Sequence, residues 1–455
     1  MATSVDGLIS GLDTTTIISQ LMTLNAAPQT RLKTSLGSQQ VAVTALQTVN
    51  SKMSSLQTAA ELLQKSTTWT AASASSGSSA VTATASAGAL AGTSTFSVSK
   101  LATAQSVVSG TTYSSLTDTS SFSDTGFEIH RGSTTVAITP ADGSMQSLVS
   151  AINSTSGSGL QAAAVQVSPG QYRLQLTATD TGAKNAFSLT ATGGGAIAGT
   201  GFDQVRSAQD AVLHVGDANA GFDITSSSNT VEGVMPGVTV KLNSLATDVS
   251  VSVQPNQQSM SDAVKAMVDA ANATLASISS VSSSGVAASD GTRSGAGPLA
   301  GDSLMRQLTS RILSSVSAGV GGKSLSSVGI SVTKDGTLSF DSTKFSTALT
   351  ADPAGTKAMF TTATVAGTGF ADGVQTLAQG AASSGGSLAS AITGRQSSIK
   401  DLTDRIADWD VRLALRQTAL QKQYSALEVS LGKLKNQSTW LAGQLSSLSS
   451  NSGSD

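Results

Sequence analysis

Residues 399–435 read IKDLTDRIADWDVRLALRQTALQKQYSALEVSLGKLK, and their apolar positions decide how the chain is organised. Ile399, Leu402, Ile406, Trp409 and Leu413 are spaced 3, 4, 3 and 4; after a gap at Arg416 the rhythm resumes at Leu420, Tyr424, Leu427, Leu431 and Leu434, and then at Leu441, Leu445 and Leu448. Sustained 3/4 spacing keeps one narrow stripe toward a partner over many turns, as a coiled-coil or bundle seam requires. A helix from residue 389 to 448 would be about 90 Å long at 1.5 Å per residue. No compact domain buries that length, so contact with other chains is expected beyond Leu427.

A second, weaker seam lies at the other end of the chain. Ile17, Leu21 and Leu24 precede Pro28; Leu32, Leu36, Val43, Leu46, Met53, Leu56 and Leu63 follow it. A proline inside a helix removes a hydrogen bond and crowds the preceding turn, so a break or kink is expected near Pro28. The first 35 residues are expected to be disordered in a lone chain. Leu46, Met53 and Leu56 with Ile399, Leu402, Ile406, Trp409 and Leu413 form a candidate intrachain seam, although for the last five an intermolecular seam suits the spacing equally. Leu12, Ile17, Leu21 and Leu24, with Leu427, Leu431, Leu434, Trp440, Leu441 and Leu445, are candidates for contact with other subunits.

Between the two ends the pattern changes to period two. Residues 70–92 form a nearly uncharged Ala/Ser/Thr/Gly tract that reads as a linker or change of architecture. Phe96 and Val98 alternate with serines. Val238, Val240 and Leu242 and then Val249, Val251 and Val253 read as two neighbouring strands joined by 243–248. An inserted β-α-β-β pattern starts at Phe127 and Ile129. It continues with a helix through Met145, Leu148 and Ile152, capped by Ser144 or Asp142 and stopped at Gly157, and then with strands around Val165 and Leu174. A further strand carries Ala211, Leu213 and Val215. Helical spacing returns from Ser261 to Leu275 and from Leu304 to Val316. Ile330 and Val332, Asp335-Gly336, then Leu338 and Phe340 read as a hairpin, because Asp-Gly readily takes positive φ.

The resulting fold class is multidomain α+β: terminal helices forming a coiled coil or helical bundle, an α-rich domain with a β-hairpin, and two antiparallel β-rich domains, one inserted in the other. The expected boundaries are 1–35, 36–72, 73–112 with 205–256, the insertion at 113–204, 257–388 and 389–455.

Composition bounds the function. The chain has 455 residues, 12% charged and 39% hydrophobic, with net charge −2, which suits several folded domains and gives no basic field for nucleic acid. No apolar run approaches the roughly 20 residues of a membrane-spanning helix, so no membrane insertion is expected. Cysteine is absent, which excludes disulfides and thiol chemistry. The two histidines, His130 and His214, fall on polar phases of strand patterns and read as solvent-facing. The carboxylates at 401–410 read as helix-face pairs, Lys400–Asp404, Asp401–Arg405 and Asp408–Arg412. Gly193-Gly194-Gly195 and Gly295-Ala296-Gly297 lack phosphate-loop spacing. No catalytic, cofactor-binding or metal-binding set emerges, and no enzyme is expected.

Several segments together resemble the flagellar hook-associated protein 2 family of filament-capping proteins. They are Val5-Asp6-Gly7-Leu8-Ile9-Ser10-Gly11-Leu12-Asp13 followed by Ile17-Ile18-Ser19-Gln20-Leu21-Met22; Ser228-Asn229-Thr230-Val231 with Pro236-Gly237-Val238-Thr239; Gly297-Pro298-Leu299-Ala300-Gly301-Asp302; and Val328-Gly329-Ile330 through Asp335-Gly336-Thr337-Leu338 to Asp341, Lys344 and Phe345. The stretch 127–176 is similar to a β-rich insertion of flagellins and hook-associated proteins. The resemblance implies a non-enzymatic filament cap without cofactor, exported by the flagellar type III route to the extracellular distal tip. There the terminal helices act as legs and the β-rich domains as the head of a ring-like homo-oligomer, usually a pentamer. Implied partners are flagellin, the hook–filament junction protein and a cytoplasmic export chaperone. The alternative is another extracellular filament or junction component, or a surface adhesin with a role in cell adhesion.

Overall fold

The computed structural model describes residues 13–124, 126–193, 195–197, 200–217, 220–287, 289, 293–361 and 369–451. The chain divides into two compact units, Met1–Gln64 with Ala263–Asp455, and Lys65–Asp262. Leu12 lies outside the described residues.

The first unit is built on the N-terminal helix, Thr14–Gln64, and the C-terminal helix, Ser387–Asn451. Asp13 opens the former by accepting the Thr16 N–H at 2.8 Å. The stretch expected to be disordered is therefore helix from Thr14 onward, and of the break or kink expected near Pro28 the break is absent, because the helix runs through it. Proline costs one backbone hydrogen bond locally. The next residue, buried Gln29, is fastened to the C-terminal helix through the Ile406 carbonyl and Asp410, a tertiary hold that offsets the local loss.

Ala42, Leu46, Val49, Met53, Leu56, Ala60 and Leu63 are all buried at intervals of 4, 3, 4, 3, 4 and 3. They pack with helix Phe370–Ala382 and the start of the C-terminal helix. Helix Gln257–Ser282 approaches as well, its Thr274 hydroxyl donating to the Lys52 carbonyl at 3.2 Å. The expected hairpin pairs Ile330 with Phe340 and Val332 with Leu338. Asn272 holds its inner edge by bonding both the N–H and the C=O of Leu338 at 2.8 Å, taking the place of a third strand. Phe340, Phe345, Phe360 and Phe370 continue the core as a relay of edge contacts, with ring centroids 5.7, 6.0 and 6.3 Å apart.

The second unit has two cores. In the first, a five-stranded antiparallel sheet runs in the order Ala72–Ser76, Ala246–Pro255, Gly92–Lys100, Ala211–Val215, Phe222–Ser226. A three-stranded sheet, Thr230–Glu232, Val238–Leu242, Val81–Ala85, supplies the opposing face. Phe96, Val98, Leu213, Val240, Val249 and Val251 fill the space between. This corrects the expected pairing of 238–242 with 249–253. Both strands bury alternate residues in one core, but Val240 pairs with Val231 and Ala83, and Val249 pairs with Phe96. The connection crosses from sheet to sheet, with Asp248 at φ 52°. The Ala/Ser/Thr tract at 70–92 is the change of architecture rather than the linker, for it contributes a strand to each sheet.

The second core lies among strands Phe202–Arg206, Ser106–Ser109, Gln171–Ala178 and Leu160–Ser168 of one sheet, Thr134–Ile138, Phe127–Arg131 and Phe187–Ala191 of another, and helix Met145–Ser154. Phe127, Ile129, Ile138, Met145, Leu148 and Leu174 are at most 1% exposed. Ser144 is the N-cap, accepting the Ser147 N–H, and Thr155 is the C-cap, with Gly157 two residues beyond at φ +81°.

Candidate assembly surface

Two polar contacts set the register of the long helices. Gln29 reaches Asp410 at 2.5 Å, and Arg395 reaches Gln39 at 3.0 Å. Advancing along one helix means retreating along the other, so the pair is antiparallel. Arg395 also lies 3.4 Å from Asp302, whose carboxylate caps helix Ser303–Ser317 through the Leu304 N–H at 2.9 Å. One guanidinium thus ties three helices together.

Continued at the same rise, that register sets Thr14 opposite about residue 423. The last ~40 Å of the C-terminal helix therefore extends past the described N-terminal helix. Exposure follows the same division. Leu46, Met53, Leu56 and Leu402 are buried, and Ile399, Ile406, Trp409 and Leu413 are half-buried. Farther out Leu431 is half-buried, whereas Leu427, Leu434, Trp440, Leu441 and Leu445 are exposed, Trp440 by 66%. Near the other terminus Ile17 and Leu21 are half-buried and Leu24 is 74% exposed.

Val411, Leu415 and Val429 are exposed too and lie off the seam. The 3/4 reading missed them because it follows a single stripe. A helix with apolar side chains on more than one face suits a bundle of more than two members.

The charged face is mostly as the spacing requires. Lys400–Asp404 closes at 2.9 Å and Arg405–Asp401 at 3.7 Å; the bond from Lys400 to Asp404 raises the lysine pKa. Asp408–Arg412 does not form among the described residues. Arg412 instead lies over the Trp409 ring, 5.6 Å from its centroid, where the π face attracts the cation.

The histidines are less solvent-facing than their strand phase implied. His130 sits between the Thr135 and Thr190 hydroxyls at 3.1 and 2.9 Å. His214 is bonded to Asp223 at 2.7 Å, and that bond raises its pKa. Among the described residues no group of three or more His, Cys, Asp or Glu is placed to hold a metal ion, and no helix is long and apolar enough to cross a membrane.

Fold and surface define the class: a multidomain α+β protein with an antiparallel pair of terminal helices, one carrying an apolar extension. Residues 208–436 match the family model for the flagellar hook-associated protein 2 C-terminus and residues 10–105 that for its N-terminus. The chain belongs to the flagellar hook-associated protein 2 family. It is 28% identical over 459 residues to flagellar hook-associated protein 2 of Escherichia coli K12, across 96% of this chain and 97% of the relative. It is also 33% identical over 233 residues to the lateral flagellar hook-associated protein 2 of Vibrio parahaemolyticus, across 49% of this chain and 51% of that one. The crystal structure of the D1-D2-D3 domains of the flagellar cap protein FliD from Escherichia coli superposes with a TM-score of 0.61 at 27% identity, covering 77% of this chain and 99% of that one. These relatives are structural flagellar proteins rather than enzymes.

Proposed function

We propose that this chain caps the distal end of a bacterial flagellar filament. It is exported through the flagellar type III channel to the cell exterior, assembles there as a ring-like homo-oligomer, most simply a pentamer, and holds emerging flagellin while it folds into the lattice. In this reading residues 1–35 and 389–455 form the leg, 36–72 and 257–388 the α-rich domain, and 73–112 with 205–256, carrying the insertion 113–204, the head. Flagellin, the hook–filament junction protein and an export chaperone are its partners, and it catalyses no reaction.

The observation that carries this reading is the apolar extension of the C-terminal helix. Leu427, Leu434, Leu441 and Leu445 are exposed along a length no single compact unit covers, and many weak apolar contacts permit stepping without full release. Leu12, Ile17, Leu21 and Leu24 are assigned to the same contacts. The similarity to a flagellar cap protein over nearly all of that structure supports the role.

The test is a double substitution, Leu431→Asp with Leu434→Asp. Lost motility and flagellin shed as monomer, with the β-rich unit still folded, are expected; normal motility refutes the leg assignment. Deleting the gene separates the alternatives. A cap leaves stubs and leaked flagellin, a junction or filament component abolishes the shaft, and an adhesin leaves the filament intact.

A further inference from the structure

His214 stands on strand Ala211–Val215, and the strand next to it, Phe222–Ser226, is the outermost of its sheet. The outer strand has ladder bonds on one side only, and its first residue, Phe222, is 63% exposed. Strands in that position open easily.

The imidazole meets an acceptor at each nitrogen. Nδ1 lies 2.7 Å from Asp223 Oδ1, directly across the ladder, and Nε2 lies 3.1 Å from the Asp217 carbonyl. The same carbonyl accepts the N–H groups of Ala220 at 3.0 Å and Gly221 at 2.8 Å. A neutral imidazole has one N–H and would point its other lone pair at an oxygen; only the imidazolium donates to both. Gly221 is part of the fit, since a Cβ there would lie 2.5 Å from Nε2.

From these contacts we infer that His214 is a proton-operated clasp: as the imidazolium it binds the outer strand through Asp223 and the hairpin end through Asp217, and on losing its proton it releases one of them.

The surrounding charges agree. Asp223 faces it with its carboxylate from the outer strand, and Asp217 with its backbone carbonyl. On the inner side the cross-strand neighbour is uncharged Ser97, whose hydroxyl accepts the Asp248 N–H; Lys100 pairs farther along, opposite Val212. The bonds to Asp223 and to the Asp217 carbonyl raise the His214 pKa above its ordinary value. For a group raised on folding, the added stability is complete below the unfolded pKa, about 6.5, and is lost as pH rises through the folded value. The clasp is therefore closed on the acid side and opens toward alkaline pH. This inference concerns the β-rich unit alone and stands whether or not the chain is a filament cap.

The chain has only two histidines, so ring nitrogen NMR of the full-length protein labelled in histidine, with a His130→Gln variant for assignment, reads His214 directly. His214 is expected to titrate above 6.5 and to fall in Asp223→Asn. Amide protection factors of Gly221–Ser226, corrected for intrinsic exchange, are expected to drop severalfold between pH 5.5 and 8.5 in the native chain and to be flat in His214→Gln. Titration at or below 6.5, or protection independent of pH in the native chain, overturns the clasp. Asp223→Asn keeps the side-chain shape, so a normally folded protein whose His214 pKa is unmoved overturns it as well.

Discussion

Gln29 donates a hydrogen bond to Asp410 across 381 residues of sequence, and it does so one residue after the proline that marked the helix for a break. Gln29 is 5% exposed, a polar side chain buried in a mostly apolar helix pair. Such a group sets register by making every other alignment leave it unpaired.

Replacing Gln29 with leucine is expected to leave thermal stability nearly unchanged, within about 1 kcal/mol, because burying an apolar side chain offsets the two hydrogen bonds lost, to the Ile406 carbonyl and to exposed Asp410. The register should loosen instead. With no native cysteine, engineered cysteine pairs between the two helices report it: cross-linking confined to one alignment in the native background is expected to spread to neighbouring alignments in Gln29→Leu.

Leu56 and Leu434 belong to the same apolar periodicity but have opposite surroundings, 0% and 60% exposed. Leu56→Ala leaves a cavity and should cost about 2–5 kcal/mol. Leu434→Ala should change the stability of the isolated chain by less than ~0.5 kcal/mol while impairing assembly. Calorimetry of both variants, with motility assays, checks the contrast.

Gly329 and Gly336 both have positive φ, +82° and +73°. A Cβ at Gly329 would run into the Asp341 carbonyl, whereas one at Gly336 meets nothing within 4 Å. Gly336→Ala is expected to cost only the backbone term, about 1–2 kcal/mol. Gly329→Ala adds a clash with backbone and should cost clearly more. Denaturant midpoints measured side by side decide it.

Asp302 serves both a helix and Arg395. Asp302→Asn keeps a capping oxygen and should cost little. Asp302→Ala loses the cap and the partner of a partly buried guanidinium, so about 1–2 kcal/mol is expected. Equal losses from the two variants would remove the case for a cap, and urea unfolding distinguishes the outcomes.

The period of each segment is legible in the order of its residues. Ile399, Leu402 and Ile406, or Ile330 and Val332 around Asp335-Gly336, announce helix and hairpin because the face a side chain occupies depends on its near neighbours alone. Ala42, Val49 and Ala60 complete the N-terminal seam but are small or sit among polar residues, so their burial shows only with the facing helices in place. The strands at 72–76 and 81–85 are hidden for the same reason, since Ala, Ser and Thr alternate with little contrast in hydropathy.

Partnership is a different matter. Val240 and Val249 share a pattern, a core and a short connection, yet they belong to different sheets; their distant partners Ala83 and Phe96 lie 157 and 153 residues away, and no local period encodes which partner wins. Pro28 and His214 carry the same lesson. A helix persists through the first because a distant helix holds the next residue, and the second has its pKa raised because two acceptors converge on it. Local order along the chain dictates which face each residue turns, a matter of bonds to its neighbours. Folding dictates what that face meets, because burial, register and charge are properties of segments brought together.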